Sequence, residues 1–130
     1  MGTRFLLDTN SVIYYLDNAL PNSAMNFLDN ALDIESNISV ISKIELLGWT
    51  PPDNISLQPV QTFVDSSKVL PLDDVVVQKT IEIRRIKKIK LPDAVIAATA
   101  LIYGFEIISR NISDFSGIAG LTCYDPFTDF

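Results

Sequence analysis

The stretch from Lys90 to Phe115, KLPDAVIAATALIYGFEIISRNISDF, constrains the fold more than any other part of the chain, because it reads as a helix-to-strand unit with its own stop signals. Pro92 suits the first position of a helix, where its missing N–H would be unpaired anyway and its φ is already helical. The spacing predicts a helix through AVIAATALIY, ended by Gly104. Ala94, Ala97, Ala98 and Ala100 give it a face of small residues that lets a neighbouring element come close. FEIIS reads as the strand that follows. Two acids border this pair of elements. Asp93 lies in the first helical turn, where the helix dipole favours an anion, and Asp114 falls just beyond the strand's carboxyl end.

The same grammar recurs upstream. Arg4 to Leu7 reads as a buried strand ending at Asp8-Thr9-Asn10, and SVIYYLDN has helical spacing at Val12, Ile13 and Leu16. Pro21-Asn22-Ser23 opens a second helix with Met25, Phe27, Leu28, Ala31 and Leu32 as core candidates. NISVIS, residues 37 to 42, reads as a strand, with Ser42 capping the helix KIELLGW and Glu45 in its first turn. Pro51-Pro52-Asp53-Asn54 reads as a loop and SLQPVQTFVDSS as a helix with Pro59 near its start. KVLPL, residues 68 to 72, is the third strand; Asp73-Asp74 then opens a helix with Val77, Ile81 and Ile83 facing inward. Leu121 to Tyr124 offers a last strand before Pro126. Alternating strands and helices call for a mostly parallel sheet covered on both faces, with ligands binding beyond the strands' carboxyl ends. Asp8, Glu45 and Asp114 are all expected at that edge.

Size and composition narrow the class. At 130 residues with 48% hydrophobic content, the chain has the size of a single domain, residues 1 to 130, able to bury a core. The N-terminus meets an acid after three apolar residues, and no later apolar run approaches membrane-spanning length, so a soluble protein is expected. The one cysteine, Cys123, can form no internal disulfide, which fits a reducing cytoplasm. Sixteen acidic against ten basic residues give a net charge of −6, and this argues against a general basic surface for nucleic acid. Any polyanionic partner would need cations as intermediaries. Half of the chain's own cations, Arg84, Arg85, Lys87, Lys88 and Lys90, fall within seven residues just before the Asp93 helix, where they could touch an RNA backbone or simply solvate a helix end.

Carboxylates gathered in one pocket repel, each like-charge pair at 4 Å costing roughly 4 kcal/mol at an effective dielectric near 20. Such a pocket calls for a cation. Hard oxygen ligands favour Mg²⁺ or Mn²⁺, and a chain with no histidine and one cysteine lacks the usual zinc ligands. Metal-assisted phosphate chemistry is the natural use of such a site.

LLDTN, SKIELL, KLPDAVIAATA and SRNISDF, in this order, resemble the motifs of PIN-domain proteins, and more narrowly of VapC-type toxins. The resemblance covers nearly the whole chain, including VLPLDD and the GIAGL…DPF ending. It implies a three-layer α/β/α sandwich with a five-stranded parallel sheet, and a metal-dependent endoribonuclease whose acidic quartet is matched by Asp8, Glu45, Asp93 and Asp114. By the same match, Asp8, Glu45 and Asp93 hold the main Mg²⁺ or Mn²⁺ and Asp114 helps hold a second ion or orient water. Thr9, Asn10, Ser109 and Asn111 match polar positions that orient those carboxylates. Ser109 stands where the family more often has threonine. The resemblance further implies a homodimer and a small antitoxin lying across the active-site groove, for which Tyr14, Tyr15, Leu47 and Trp49 could serve as anchors or as core. A housekeeping RNA-processing nuclease and a non-catalytic PIN-like binding module are the alternatives. A phosphoacceptor signalling domain would want an acid pair after the first strand and a lysine after the last, and this chain has neither.

Overall fold

The computed structural model describes residues 2–50 and 57–130, so the loop expected at Pro51 to Asn54 lies outside the described residues. Strand β1 (Phe5–Leu7) runs into helix α1 (Thr9–Leu16), and α2 (Asn22–Ile34) leads to β2 (Asn37–Ser39) and α3 (Val40–Gly48). After α4 (Gln58–Asp65) come β3 (Lys68–Leu70), α5 (Asp74–Ile86), α6 (Leu91–Tyr103), β4 (Glu106–Ile108), α7 (Ile112–Phe115) and β5 (Cys123–Tyr124).

The expected five-stranded sheet is present as two parallel pieces, β1-β4-β5 and β2-β3. β2 lies beside β1, but the join is made by a side chain: Asn37 Nδ2 donates to the Phe5 carbonyl at 3.1 Å. That bond occupies an acceptor a backbone N–H would take in a continuous ladder, and three-residue strands leave little length over which to restore one. The spatial order is therefore β3-β2-β1-β4-β5, and the chain reverses its direction of travel between β1 and β4. A crevice opens at such a switch point, beyond the carboxyl ends of the strands.

Alternation along the strands builds the three layers. Leu6 and Ile107 are paired and face α5 and α6, joining Val76, Ile83, Ala94, Ala97 and Phe115. Their neighbours Leu7 and Ile108 turn to the other face, against Val12, Leu28, Leu46 and Val64 from α1 to α4. Buried positions on both faces of β1 and β4 give them the apolar pairs Leu6-Leu7 and Ile107-Ile108. The alanine face of α6 is fully buried as expected, which brings α5 and α6 into close contact.

Local expectations shift in three places. β2 ends at Ser39, whose Oγ accepts from Ile41 N at 3.1 Å, so Ser39 and not Ser42 caps α3 and Glu45 sits beyond its first turn. Pro92 takes the second helical position, because Leu91 already belongs to α6. On α5 the inward face is Val76, Thr80 and Ile83, whereas Val77 and Ile81 are 38% and 40% exposed. The run VVV permits either face, and the stripe that meets α6 wins. Gly104 ends α6 with φ +77, and a Cβ there would meet nothing within 4 Å. Gly104→Ala is thus expected to cost about 1–2 kcal/mol through backbone strain alone, measured as a lower urea midpoint at unchanged m-value.

Candidate functional site

Asp8, Glu45, Asp93 and Asp114, from four different segments, line one cleft of about 250 Å³. Thr9, Asn10, Asn111 and Lys90 complete its polar wall. It lies at the switch point: Asp8 follows β1, its N–H donates to Ile108 O at 3.2 Å, and Ser109 follows β4. A larger hollow, about 720 Å³, opens beside Arg4, Phe5, Phe27, Ile34 and Glu35. It gathers no cluster of acids, and Arg4 and Glu35 neutralise each other there as an ion pair.

Asp8 is held most tightly. Only 4% exposed, it caps α1 by accepting from Ser11 N at 2.9 Å, while Oδ2 accepts from Ser109 Oγ at 2.5 Å. Ser109 Oγ also accepts from Asn111 N at 3.0 Å, so its one proton is directed at Asp8. Burial nevertheless pushes the Asp8 carboxyl above its ordinary range; Ser109 and Ser11 oppose this and the Glu45 charge adds to it. Glu45, exposed on α3, accepts from Thr9 Oγ1 at 2.6 Å, and that hydroxyl lies 3.1 Å from Ser42 Oγ.

Asp93 stands in the first turn of α6, half-buried. Its carboxyl is also pushed up, first by burial and then by the charges of Asp114, Asp8 and Glu45, with Lys90 pulling the other way. A helix N-terminus should lower a carboxyl. At Asp93, burial and three negative neighbours outweigh the lysine.

These groups fit a hard divalent cation in donor chemistry: carboxylates with hydroxyl support, and no imidazole anywhere in the chain. Among the described residues no group of three stands arranged to hold an ion, which agrees with Glu45 being turned onto Thr9. Cys123 supplies no soft ligand. Burial, reinforced by the Asp8 charge, pushes its thiol up to about 12.

Of the clustered cations, Lys90 alone lines the acidic cleft; Arg84, Arg85 and Lys88 are exposed around a separate hollow of about 360 Å³. Lys87 borders the same hollow and donates to the carbonyls of Ser113 and Ser116 around α7. Tyr14 packs edge-on against Phe127 and Tyr15 against Phe63, so their area is spent inside the chain; Leu47 is 37% exposed and Trp49 half-buried. Ser11 and Ser42 were not among the expected site residues. Ser11 sits three positions after the capping Asp8, and Ser42 three before Glu45 on the same helical face, spacings that could have found both.

The PIN domain family model matches residues 5–121. The chain belongs to the PIN domain family. A search of curated proteins found no match. Among solved structures, this PIN domain is similar to a chain of DNA-bound VapBC from Salmonella typhimurium, at 25% identity and TM-score 0.78 over 96% of this chain and 99% of that one. FitAcB from Neisseria gonorrhoeae matches at 27% identity and TM-score 0.76, over 95% and 99% of the two chains. A toxin–antitoxin complex from Klebsiella pneumoniae matches at 27% identity and TM-score 0.70, over 94% and 97%. The PIN fold accounts for the layer order and for the place of the cleft. No helix among the described residues of this PIN domain is long and apolar enough to cross a membrane.

Proposed function

We propose that this PIN domain is a Mg²⁺- or Mn²⁺-dependent endoribonuclease and the toxin half of a toxin–antitoxin pair. The observation that carries the reading is the convergence of Asp8, Glu45, Asp93 and Asp114 on one cleft, where burial and the charges of the other three raise the Asp93 carboxyl. Such a site is short of positive charge, and a divalent ion supplies it. PIN domains are generally nucleases, and the similar chains come from toxin–antitoxin complexes, VapBC among them.

Asp8, Glu45 and Asp93 hold the main ion in this reading, and Asp114 holds a second or orients water. When bound, the cation acidifies a water and offsets charge on the scissile phosphate. The chain's own groups do the positioning. Ser109 and Ser11 fix the Asp8 oxygens, and Thr9 holds the Glu45 carboxylate. Asn10 and Asn111 line the cleft as donors. Lys90 is placed to meet a phosphate oxygen, with Arg84, Arg85 and Lys88 as outer contacts for the RNA backbone. A homodimer in the cytoplasm, silenced by a small antitoxin across the groove, completes the reading; Leu47 and Trp49 on the α3 side are the remaining anchors.

The test is cleavage of a panel of structured RNAs by partner-free protein with Mg²⁺, Mn²⁺ or EDTA, alongside thermal unfolding in the same buffers. Expected are cutting that EDTA abolishes and a melting temperature that rises with metal concentration, by about 2.7 kcal/mol of stabilisation at a hundredfold excess over Kd. A folded protein whose melting temperature is indifferent to both metals, and which cuts nothing, would support the non-catalytic module instead.

A further inference from the structure

We infer that Lys87 is a positioning residue for Asp114: its ammonium clips the single-turn helix α7 in place and so sets the distance between Asp114 and the rest of the acidic cleft. The inference rests on the nuclease reading for what Asp114 does, and on geometry alone for how Asp114 is held.

A four-residue helix has almost no stability of its own, since the cost of nucleation is not recovered over one turn. α7 closes with one backbone bond from Ser116 N to Ile112 O at 2.9 Å and another from Asp114 N to Asn111 O at 3.1 Å. It is pinned at one side by Phe115, which is 2% exposed and packs into the core under α6. At the other side Lys87 Nζ donates to Ser113 O at 2.9 Å and to Ser116 O. These two carbonyls bracket Asp114 and Phe115 in sequence. Lys87 thus reaches Ser113 within α7 and the C-cap Ser116, while at the other end Ser109 Oγ accepts from the N-cap Asn111 N at 3.0 Å. Charge-assisted bonds to the free carbonyls of a helix end are stronger than neutral ones and complement the helix dipole. Lys87 is the C-cap of α5, so the clip ties α7 to the helix pair α5–α6, and α6 carries Asp93. These carbonyls take two of the three Lys87 N–H donors and hold its ammonium at α7, a role the basic run taken by itself does not suggest.

Lys87→Met keeps the length and apolar stem of the side chain and removes the donors. It is expected to weaken Mn²⁺ binding about tenfold, the lower end of what loss of a supporting contact costs a metal site, read by electron paramagnetic resonance. Hydrogen exchange at the Asp114 and Ser116 amides should accelerate, and kcat at limiting Mn²⁺ should fall with the KM for RNA unchanged. Lys87→Arg restores the donors and should recover metal affinity and exchange protection. Lys88→Met should leave metal affinity and α7 exchange as they are. If Lys87→Met fails to fold, Lys87→Gln is read in the same two ways. The inference is overturned if neutralising Lys87 leaves Mn²⁺ affinity and α7 exchange unchanged while RNA binding weakens and its salt slope falls by about one, the mark of a phosphate contact. Should the wild-type protein bind no Mn²⁺, the nuclease reading falls, and the exchange comparison still decides whether Lys87 holds α7.

Discussion

Asp93→Asn is expected to cut RNA cleavage by roughly 10³-fold, on the scale of losing one well-placed charge from a preorganised site, and at the same time to make the folded protein more stable at neutral pH. The two effects share one cause. In the wild-type chain, burial and the charges of Asp114, Asp8 and Glu45 hold the Asp93 carboxyl above its unfolded value. The native state then binds more protons than the unfolded chain over the interval between the two pKa values, so stability falls as pH rises through that interval. Below about pH 3.9, the unfolded value, Asp and Asn behave alike; above the raised folded value the advantage of Asn is complete. Thermal melts of both proteins from pH 4 to 7 would show the curves separating upward in pH. Mg²⁺ or Mn²⁺ should raise the wild-type melting temperature much more than that of the variant, narrowing the gap. Full activity in Asp93→Asn would sink the site assignment, and a variant less stable at pH 7 would mean that the helix dipole, not repulsion, governs this position.

Asp8→Ala should fail in the opposite way, losing activity together with stability. Its carboxylate caps α1 and accepts the buried Ser109 hydroxyl. Removing a cap costs about 1 kcal/mol, and leaving buried donors without an acceptor adds about 1–3; relief from burying a charge returns part of this. A net loss of about 2 kcal/mol lowers the melting temperature by about 8 °C in a domain of this size. Asp8→Asn retains an acceptor for Ser11 N and offers its amide to Ser109 Oγ, and is expected to stay folded and inactive. Equal urea midpoints for the Ala and Asn variants would show that these hydrogen bonds do not hold the edge of the sheet.

The contrast between these two acids shows how far the chain could be read without its structure. Both were recognisable from position alone, Asp8 between an apolar run and a helix and Asp93 after Pro92. The alternation of elements, the Gly104 stop and the alanine face of α6 were equally legible, because each depends on residues within a turn or two of one another. Where local signals competed, sequence reading lost its grip. NISVIS has the β-branched content of a strand through Ser42, yet the helix begins at Val40 once Ser39 supplies its cap. In the VVV run of α5, any of three valines could face inward, and contact with α6 selects Val76. The continuous sheet expected from the family gave way between β1 and β2 to a single asparagine side chain.

The basic run is the sharpest case. Composition shows five cations in seven residues and nothing about their separate fates, which are to line the acidic cleft for Lys90, to face solvent for Arg84, Arg85 and Lys88, and to clip α7 for Lys87. Short-range physics, caps and periodicity and turn chemistry, is written in neighbouring residues, and by itself the sequence determined which elements form and which acids stand at their ends. How those acids face one another, which hydroxyls support Asp8 and Glu45, and which lysine lines the cleft were decided by the tertiary structure alone. They depend on atoms 26 to 101 residues apart along the chain, brought together only when both faces of the sheet are covered.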